Sequence, residues 1–291
     1  MKKQKIKYAI PFNGDLELIE WAIESEQVSE VYFSGPEKYD FADITCLDKM
    51  PSFGKLVQLI DLCNKKNIRT NLLLNKKTMF FENVKKIIRL INAFEKSGRL
   101  DSVTISDPFF LQFLLKNTKN LNIQASIFMG IDKFSKAKEA LKEGFSTICL
   151  DPSINRDYYE LKKIIKLKEI YPNFRIKLLG CLNCFSNCFY AWEHPSIGIF
   201  AHLINKSKSK YNHEILGNQL EWDSCFFKRE DPSDDIKKPF IRPEDVSFYE
   251  QNYLCDEIKI AYREDETDIL KKKSGHFLIE NIREIFLNYL Q

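Results

Sequence analysis

Long apolar runs are missing from this sequence. No stretch of the 291-residue chain is apolar for long enough to span a bilayer. The basic start of the chain, Met1 to Lys7, is followed by an apolar segment that is too short for the core of a signal peptide. The sequence therefore predicts a cytoplasmic protein with no membrane span. In that compartment, cysteines are more often metal ligands or buried thiols than disulfides.

A strong excess of one charge and several catalytic motifs are also missing. The chain has 44 Lys and Arg against 41 Asp and Glu, and a net charge of +3 is too weak to indicate nucleic acid, although it does not exclude RNA. There is no Gly-x-Ser-x-Gly turn and no His-Glu-x-x-His helix, so serine-hydrolase and zinc-protease chemistry have no support. The first predicted strand is followed by Phe12-Asn13-Gly14-Asp15, which is not the glycine-rich phosphate turn of a dinucleotide-binding sheet.

Short strand-like runs alternate with amphipathic helical segments along most of the chain. The predicted strands are residues 7–12, 30–34, 68–74, 102–106, 122–128, 146–151, 174–179 and 257–262. The predicted helices are residues 15–26, 53–66, 82–96, 108–116, 133–142 and 158–170, with a last helix at 281–290. Because eight parallel strands close a barrel, the prediction is an α/β fold, a (β/α)8 TIM-like barrel, with a doubly wound open sheet as the alternative.

One interval interrupts this alternation. We predict a single barrel domain over residues 1–291, with a cysteine-rich insertion at residues 182–256, between the seventh and eighth strands. The interval is far longer than an ordinary βα connection. It follows the C-terminal end of a strand, where barrel enzymes build their active sites. We therefore expect the insertion to pack over the C-terminal mouth of the barrel.

Four cysteines of this region form a thiolate set. Cys181, Cys184 and Cys188 lie within eight residues, and Cys225 follows at a distance. Soft thiolates select zinc or an iron–sulfur cluster. Only one pair has the Cys-x-x-Cys spacing of a zinc knuckle, so the pattern favours a [4Fe-4S] cluster, whose four irons each take one thiolate, over zinc. The remaining cysteines, at positions 46, 63, 149 and 255, are expected to be small buried hydrophobic side chains.

Other candidate site residues are polar. The residues that we expect to line the mouth include Ser106, Asp107, Ser126, Asp151, Asn183, His194, Lys259 and Arg263. Asp107, Asp151 and His194 are the catalytic candidates. Both aspartates precede proline, however, and an aspartate in that position is often only a helix or turn cap. His194 follows the cysteine motif and has either a structural role or a role in the pocket.

Two cations on the last predicted strand are candidates for binding an anion. Lys259 and Arg263 are four residues apart, so they share one face of a regular strand. If that face points into the barrel, the two side chains and Asn183 could bind a carboxylate-bearing substrate. The alternative is that both charges lie outside the barrel or pair with Asp256 and Glu264.

Three segments of the chain form one recognisable set. They are Gly180-Cys181-Leu182-Asn183-Cys184-Phe185-Ser186-Asn187-Cys188 with His194 and Cys225, then Pro239-Phe240-Ile241-Arg242-Pro243-Glu244-Asp245-Val246-Ser247-Phe248-Tyr249-Glu250, then Glu257-Ile258-Lys259-Ile260-Ala261-Tyr262-Arg263. Together they resemble the collagenase-like peptidase U-32 family, whose members carry a cysteine-rich loop, an I-x-P-E-D-L-x-x-Y helix start and an F-K-I-x-G-R strand. Tyr262 replaces the usual glycine.

The resemblance implies a cofactor and an activity. Relatives that act in anaerobic ubiquinone biosynthesis and in RNA hydroxylation hold a [4Fe-4S] cluster with four cysteines, which would here be Cys181, Cys184, Cys188 and Cys225. Those relatives hydroxylate aromatic or nucleobase carbons without oxygen, with prephenate as the apparent oxygen donor. The chain would thus catalyse or support such a modification of an aromatic metabolite, a peptide or an RNA base. It is similar to small barrel-only relatives, which implies a second protein subunit. The alternatives are a non-catalytic, cluster-bearing partner subunit and a peptidase.

Overall fold

Eight parallel strands form a closed barrel in sequence order. The computed structural model describes residues 5–36, 50–76, 81–98, 100–118, 121–180, 239–261 and 266–278. Each strand pairs with the next, and the last pairs with the first. The strands are β1 Lys7–Pro11, β2 Val28–Phe33, β3 Arg69–Leu74, β4 Ser102–Ile105, β5 Asn122–Ala125, β6 Thr147–Cys149, β7 Arg175–Gly180 and β8 Glu257–Ile260. The predicted (β/α)8 fold is confirmed, and the alternative of an open sheet is wrong.

Helices follow the strands in the described part of the chain. They are α1 Leu16–Ala22, α2 Phe53–Lys65, α3 Phe81–Ser97, α4 Pro108–Asn117, α5 Phe134–Glu143, α6 Tyr158–Ile165, α7 Val246–Gln251 and α8 Thr267–Leu278. The six helices predicted up to residue 170 are all found. Helix α8 was not among the predicted helices, and the helix predicted at 281–290 lies outside the described residues. None of the helices in the described ranges is long and apolar enough to cross a membrane.

Strands β5 and β6 end earlier than predicted, and a polar side chain caps a turn within two residues of each strand end. Ser126 accepts a hydrogen bond from the backbone N–H of Phe128 (3.3 Å), which starts a 3-10 turn at residue 127 and ends β5 at Ala125. Asp151 starts the 3-10 turn Pro152–Ile154 after β6 in the same way. Local hydrogen bonds from Ser and Asp side chains compete with the strand ladder, so the apolar residues after Ser126 do not extend the strand.

Alternate residues of each strand face two different environments. On β2, Phe33 points outward and packs edge-on against Phe94 of α3, with 6.0 Å between the ring centroids. Glu30 and Tyr32, on the other face of the same strand, point into the barrel. The outer layer between strands and helices is almost entirely apolar and forms one continuous cluster. The barrel interior, in contrast, contains charged side chains.

The centre of the barrel is occupied by a buried ion network. Lys177 of β7 is 1% exposed, and its Nζ lies 2.6 Å from Oε1 of Glu30 and 3.3 Å from Oε2 of Glu257. Lys177 also donates to Oε1 of Gln124 (2.9 Å). Glu30 accepts further hydrogen bonds from Asn71 and Gln124, both at 2.8 Å. Every charge in the network therefore has a partner, as burial of ionic groups requires.

Two arginines close the N-terminal end of this network. Arg69 and Arg175 are the first residues of β3 and β7, and both contact the carboxylate of Glu257, the first residue of β8. Arg69 also lies 3.8 Å from Glu30. The two carboxylates are thus surrounded by three cations, and the network joins β2, β3, β7 and β8 across the barrel.

We predict that Lys177→Met destabilises the fold by about 3–5 kcal/mol, because the substitution leaves Glu30 and Glu257 buried without their shared ammonium partner. Guanidinium unfolding followed by circular dichroism measures this. The control is Lys142→Met, which removes an exposed lysine paired with Glu139 and should cost about 0–1 kcal/mol. Equal losses in the two variants would contradict the assigned importance of the buried network.

The same network predicts a pH dependence of stability. Burial acts to raise the pKa of Glu30, but the charges of Lys177 and Arg69 and the hydrogen bonds of Lys177 and Gln124 outweigh it and lower the pKa to about 2. A depressed pKa in the folded state contributes stability above the unfolded pKa, and this stability is lost as the pH falls from about 4.5 towards about 2.

We therefore expect the Tm of the protein to fall through that window, and the fall to be shallower in Glu30→Gln. Calorimetric scans between neutral and acid pH test this. An identical pH profile for the native protein and Glu30→Gln would contradict the assignment.

Candidate functional site

The described residues on either side of the cysteine-bearing interval lie at the C-terminal rim of the barrel. β7 ends at Gly180, and Gly180 makes an isolated parallel bridge with Ile241. The last described residue before the interval and a residue shortly after it therefore lie side by side at the rim. Arg156 fixes the returning segment through an ion pair with Asp245 (2.7 Å) and a hydrogen bond to the Phe240 carbonyl (3.3 Å). The described part of the predicted insertion, residues 239–256, then supplies α7 and leads into β8.

Packing at Gly180 leaves no room for a side chain. A Cβ atom there would lie 2.9 Å from Cγ2 of Ile258 and 3.4 Å from the ring of Phe277. Asn155 supports the same strand end, because its side-chain amide donates to the Leu179 carbonyl (3.0 Å), and Tyr249 in turn donates to the Asn155 carbonyl (2.6 Å). The residue directly before Cys181 is thus held by close contacts on several sides. Sequence reasoning did not identify Asn155, because it belongs to no motif.

Asp107 and Asp151 are cap residues. Asp107 accepts a hydrogen bond from the backbone N–H of Phe109 (2.9 Å) at the start of α4, and Asp151 accepts one from Ser153 (2.8 Å). Both bonds are of the kind that satisfies the unpaired N–H groups at helix starts. The structure thus shows a capping role for both residues, and their catalytic role stays a prediction.

Two of the predicted rim residues, Ser106 and Ser126, meet Asn75 at the ends of β3, β4 and β5. The side-chain amide of Asn75 donates to Ser126 Oγ (3.3 Å), and Ser106 donates to the Asn75 carbonyl (2.8 Å). Asn75 and Ser126 are buried. These polar groups hold the strand ends together, and Ser126 has a second role as the cap of the turn that follows.

Lys259 lies inside the barrel, which contradicts the alternative that places its charge outside. Its Nζ is 4.2 Å from the centroid of the Tyr32 ring. Asp256, the acid that the alternative offered as a partner, instead pairs with Lys168 and accepts a hydrogen bond from the Ile176 N–H (2.7 Å). The side chain of Lys259 therefore points into the barrel, as one of the two alternatives predicted.

A buried thiol lies in the same part of the barrel as Lys259. Burial raises the pKa of Cys149, while the positive charges of Lys259 and Lys177 act in the opposite direction. Cys149 is therefore a neutral thiol at neutral pH. Cys63 and Cys255 are also buried, and burial raises the pKa of each. These three cysteines are the small buried side chains that were predicted, and Cys46 lies outside the described residues.

Several predicted site residues fall outside the part of the chain that the structure describes. They are the four predicted cluster ligands Cys181, Cys184, Cys188 and Cys225, together with Asn183, His194 and Arg263. Within the described ranges, no group of three or more His, Cys, Asp or Glu side chains could hold a metal ion. The metal prediction therefore concerns only residues of the interval that starts at the rim.

The fold and the rim define a (β/α)8 barrel protein with a candidate site at the C-terminal ends of its strands. The chain belongs to peptidase family U32, whose sequence model matches residues 15–171. The match covers the barrel's first six strand–helix units apart from β1. The motifs that suggested the resemblance lie C-terminal to this range, so two separate parts of the chain indicate the same family.

Two proteins that are similar to this chain are described as a protease or as a U32 peptidase. The "Uncharacterized protease MJ1657" of Methanocaldococcus jannaschii is 28% identical over 261 residues, which cover 86% of this chain and 72% of the relative. A solved structure described as "The Structure of the U32 Peptidase Mk0906" has a TM-score of 0.57 at 13% identity, covering 88% of this chain and 92% of that one. The structural likeness supports the barrel fold alone.

Proposed function

We propose that this chain carries a [4Fe-4S] cluster at the C-terminal rim of the barrel, with Cys181, Cys184, Cys188 and Cys225 as its ligands. We further propose that it catalyses or supports an oxygen-independent hydroxylation, or a related modification, of an aromatic metabolite, a peptide or an RNA base. The observation that supports this most directly is the bridge between Gly180 and Ile241, which brings residues on the two sides of the cysteine-bearing interval together at the rim.

Covalent geometry supports the location of the cluster. Cys181 is bonded to Gly180, so its Cα lies about 3.8 Å from the last Cα of β7. A cluster ligated by Cys181 would therefore lie beside the rim. Four thiolates are the full ligand set of a [4Fe-4S] cluster, which supplies a one-electron redox centre when bound. The chemistry of these donors fits the cluster, and the site lies where barrel enzymes place catalytic groups.

The polar groups of the mouth support an anionic substrate or donor. Lys259 extends into the barrel, and Arg263 and Asn183 belong to the segments that leave β8 and β7 at the rim. Ammonium and guanidinium groups bind carboxylates strongly when water is excluded. We propose that these three residues bind a carboxylate-bearing compound such as prephenate. Asp107, Asp151 and His194 are the catalytic candidates that we propose.

A peptidase is the second candidate function, because the names of the similar proteins contain "protease" and "peptidase". A third possibility is a cluster-bearing subunit that works only with a partner protein. Gelatin and casein digestion by the native protein and by His194→Ala tests the peptidase. Affinity purification of the native chain from anaerobically grown cells shows whether a second subunit accompanies it.

We predict that the anaerobically purified protein is brown and contains about four irons and four acid-labile sulfides per chain. Replacing Cys181, Cys184, Cys188 or Cys225 with Ala should remove or destabilise the cluster, because each thiolate holds one iron. The matched control is Cys63→Ala, which removes a buried thiol of α2 and should leave the iron content unchanged. Stoichiometric zinc without sulfide in the native protein would contradict the proposal.

We also predict that Lys259→Met and Arg263→Met each weaken prephenate binding about tenfold, because each removes a charged hydrogen-bond donor. Isothermal titration calorimetry on anaerobic, cluster-loaded protein measures the Kd. Iron content is measured on the same samples, so that loss of the cluster is separated from loss of the anion site. Lys142→Met, the same substitution on the exposed face of α5, should bind as the native protein does. Unchanged binding in both rim variants would remove them from the site.

A further inference from the structure

We infer that Tyr32 is a positioning residue for Lys259, and that its aromatic ring holds the lysine ammonium where it can receive a small carboxylate. This inference rests on the anion-binding role proposed above for Lys259. It goes further because it assigns the orientation of that cation to a particular side chain of another strand. Tyr32 belongs to no motif of the sequence.

The hydroxyl of Tyr32 links β2 to β8, two strands that are not neighbours in the barrel. Tyr32 is 3% exposed on β2, and its hydroxyl donates a hydrogen bond to the carbonyl of Ile260 on β8. Strand β1 lies between β2 and β8 in the barrel. The phenol therefore crosses the interior face of β1 to reach its acceptor.

A small residue on β1 makes this crossing possible. Ala9 faces the barrel interior, is fully buried and packs with Tyr32 and Leu73 in a small apolar cluster that is separate from the main core. A large side chain at position 9 would compete with the ring for the same space, because barrel interiors are close-packed. The apolar walls also exclude water from the ring face.

Tyr32 contacts the side chain of Lys259 with its ring and the backbone of Ile260 with its hydroxyl. Lys259 precedes Ile260, and its Nζ lies 4.2 Å from the Tyr32 ring centroid, within the range of a cation–π interaction. The two contacts fix both the strand and the direction of the lysine side chain.

Two substitutions of Tyr32 test the contributions of its ring and its hydroxyl separately. Tyr32→Phe keeps the aromatic face, so it should retain most of the prephenate affinity. Tyr32→Leu removes the face and should weaken binding about threefold to thirtyfold, which corresponds to the usual strength of a cation–π contact. The matched control is Phe33→Leu, the same loss of a ring one residue further along β2 but on the helix-facing side. It should destabilise the protein and leave prephenate binding unchanged.

A spectroscopic measurement reports the contact itself. In protein with 13C-labelled lysine, the ε-methylene protons of Lys259 should be shifted upfield by the ring, and their signal is assigned by its absence in Lys259→Met. The shift should persist in Tyr32→Phe and Phe33→Leu and disappear in Tyr32→Leu. If Tyr32→Leu does not fold, phenylalanines with increasing ring fluorination at position 32 replace it. Their prephenate affinity should fall with each fluorine, because the ring face loses negative potential.

The outcomes distinguish this inference from the proposed function. If Lys259→Met weakens prephenate binding and Tyr32→Leu does not, the positioning role is overturned and the anion site stands. If Lys259→Met binds as the native protein does, the anion site is overturned. In that case, loss of the upfield shift in Tyr32→Leu still supports the positioning of Lys259 by Tyr32, and persistence of the shift overturns it.

Discussion

The ion pair between Lys177 and Glu30, buried at the centre of the barrel, is the interaction on which the rest of the structure depends. The two residues come from β7 and β2, and Gln124 of β5 bonds to both. An ammonium and a carboxylate with so little access to water are stable only while each keeps its partner. The strands that carry them must therefore keep one register, and that register determines which side chains reach the C-terminal rim.

The barrel interior is divided along its axis into two functional halves. Towards the N-terminal ends of the strands, Arg69 and Arg175 close a network in which the carboxylates are bonded on several sides. Towards the C-terminal ends, Lys259 lies against the Tyr32 ring. The first half contributes stability and fixes the register. The second half presents a cation to the mouth, where barrel enzymes bind their substrates.

The assignment to peptidase family U32 and the proposed chemistry rest on different observations. The family follows from the sequence match over residues 15–171 and agrees with the barrel fold. The proposed cluster rests on four cysteines that follow Gly180 in the sequence and on the bridge between Gly180 and Ile241 at the rim. The word peptidase in the names of similar proteins does not identify a nucleophile in this chain, and the two rim aspartates have a capping role in addition to the catalytic role proposed for them.

The sequence by itself determined the barrel, because the alternation of short apolar strands with amphipathic helices is a local pattern that eight parallel strands satisfy by closing. It also indicated caps at Asp107 and Asp151, since an aspartate before proline often bonds to its own neighbours. Only the tertiary structure decided which polar side chains meet. Glu30 and Lys177 are 147 positions apart, and Tyr32 and Ile260 are 228 apart. No local spacing encodes such pairs, because barrel closure and strand register bring them together.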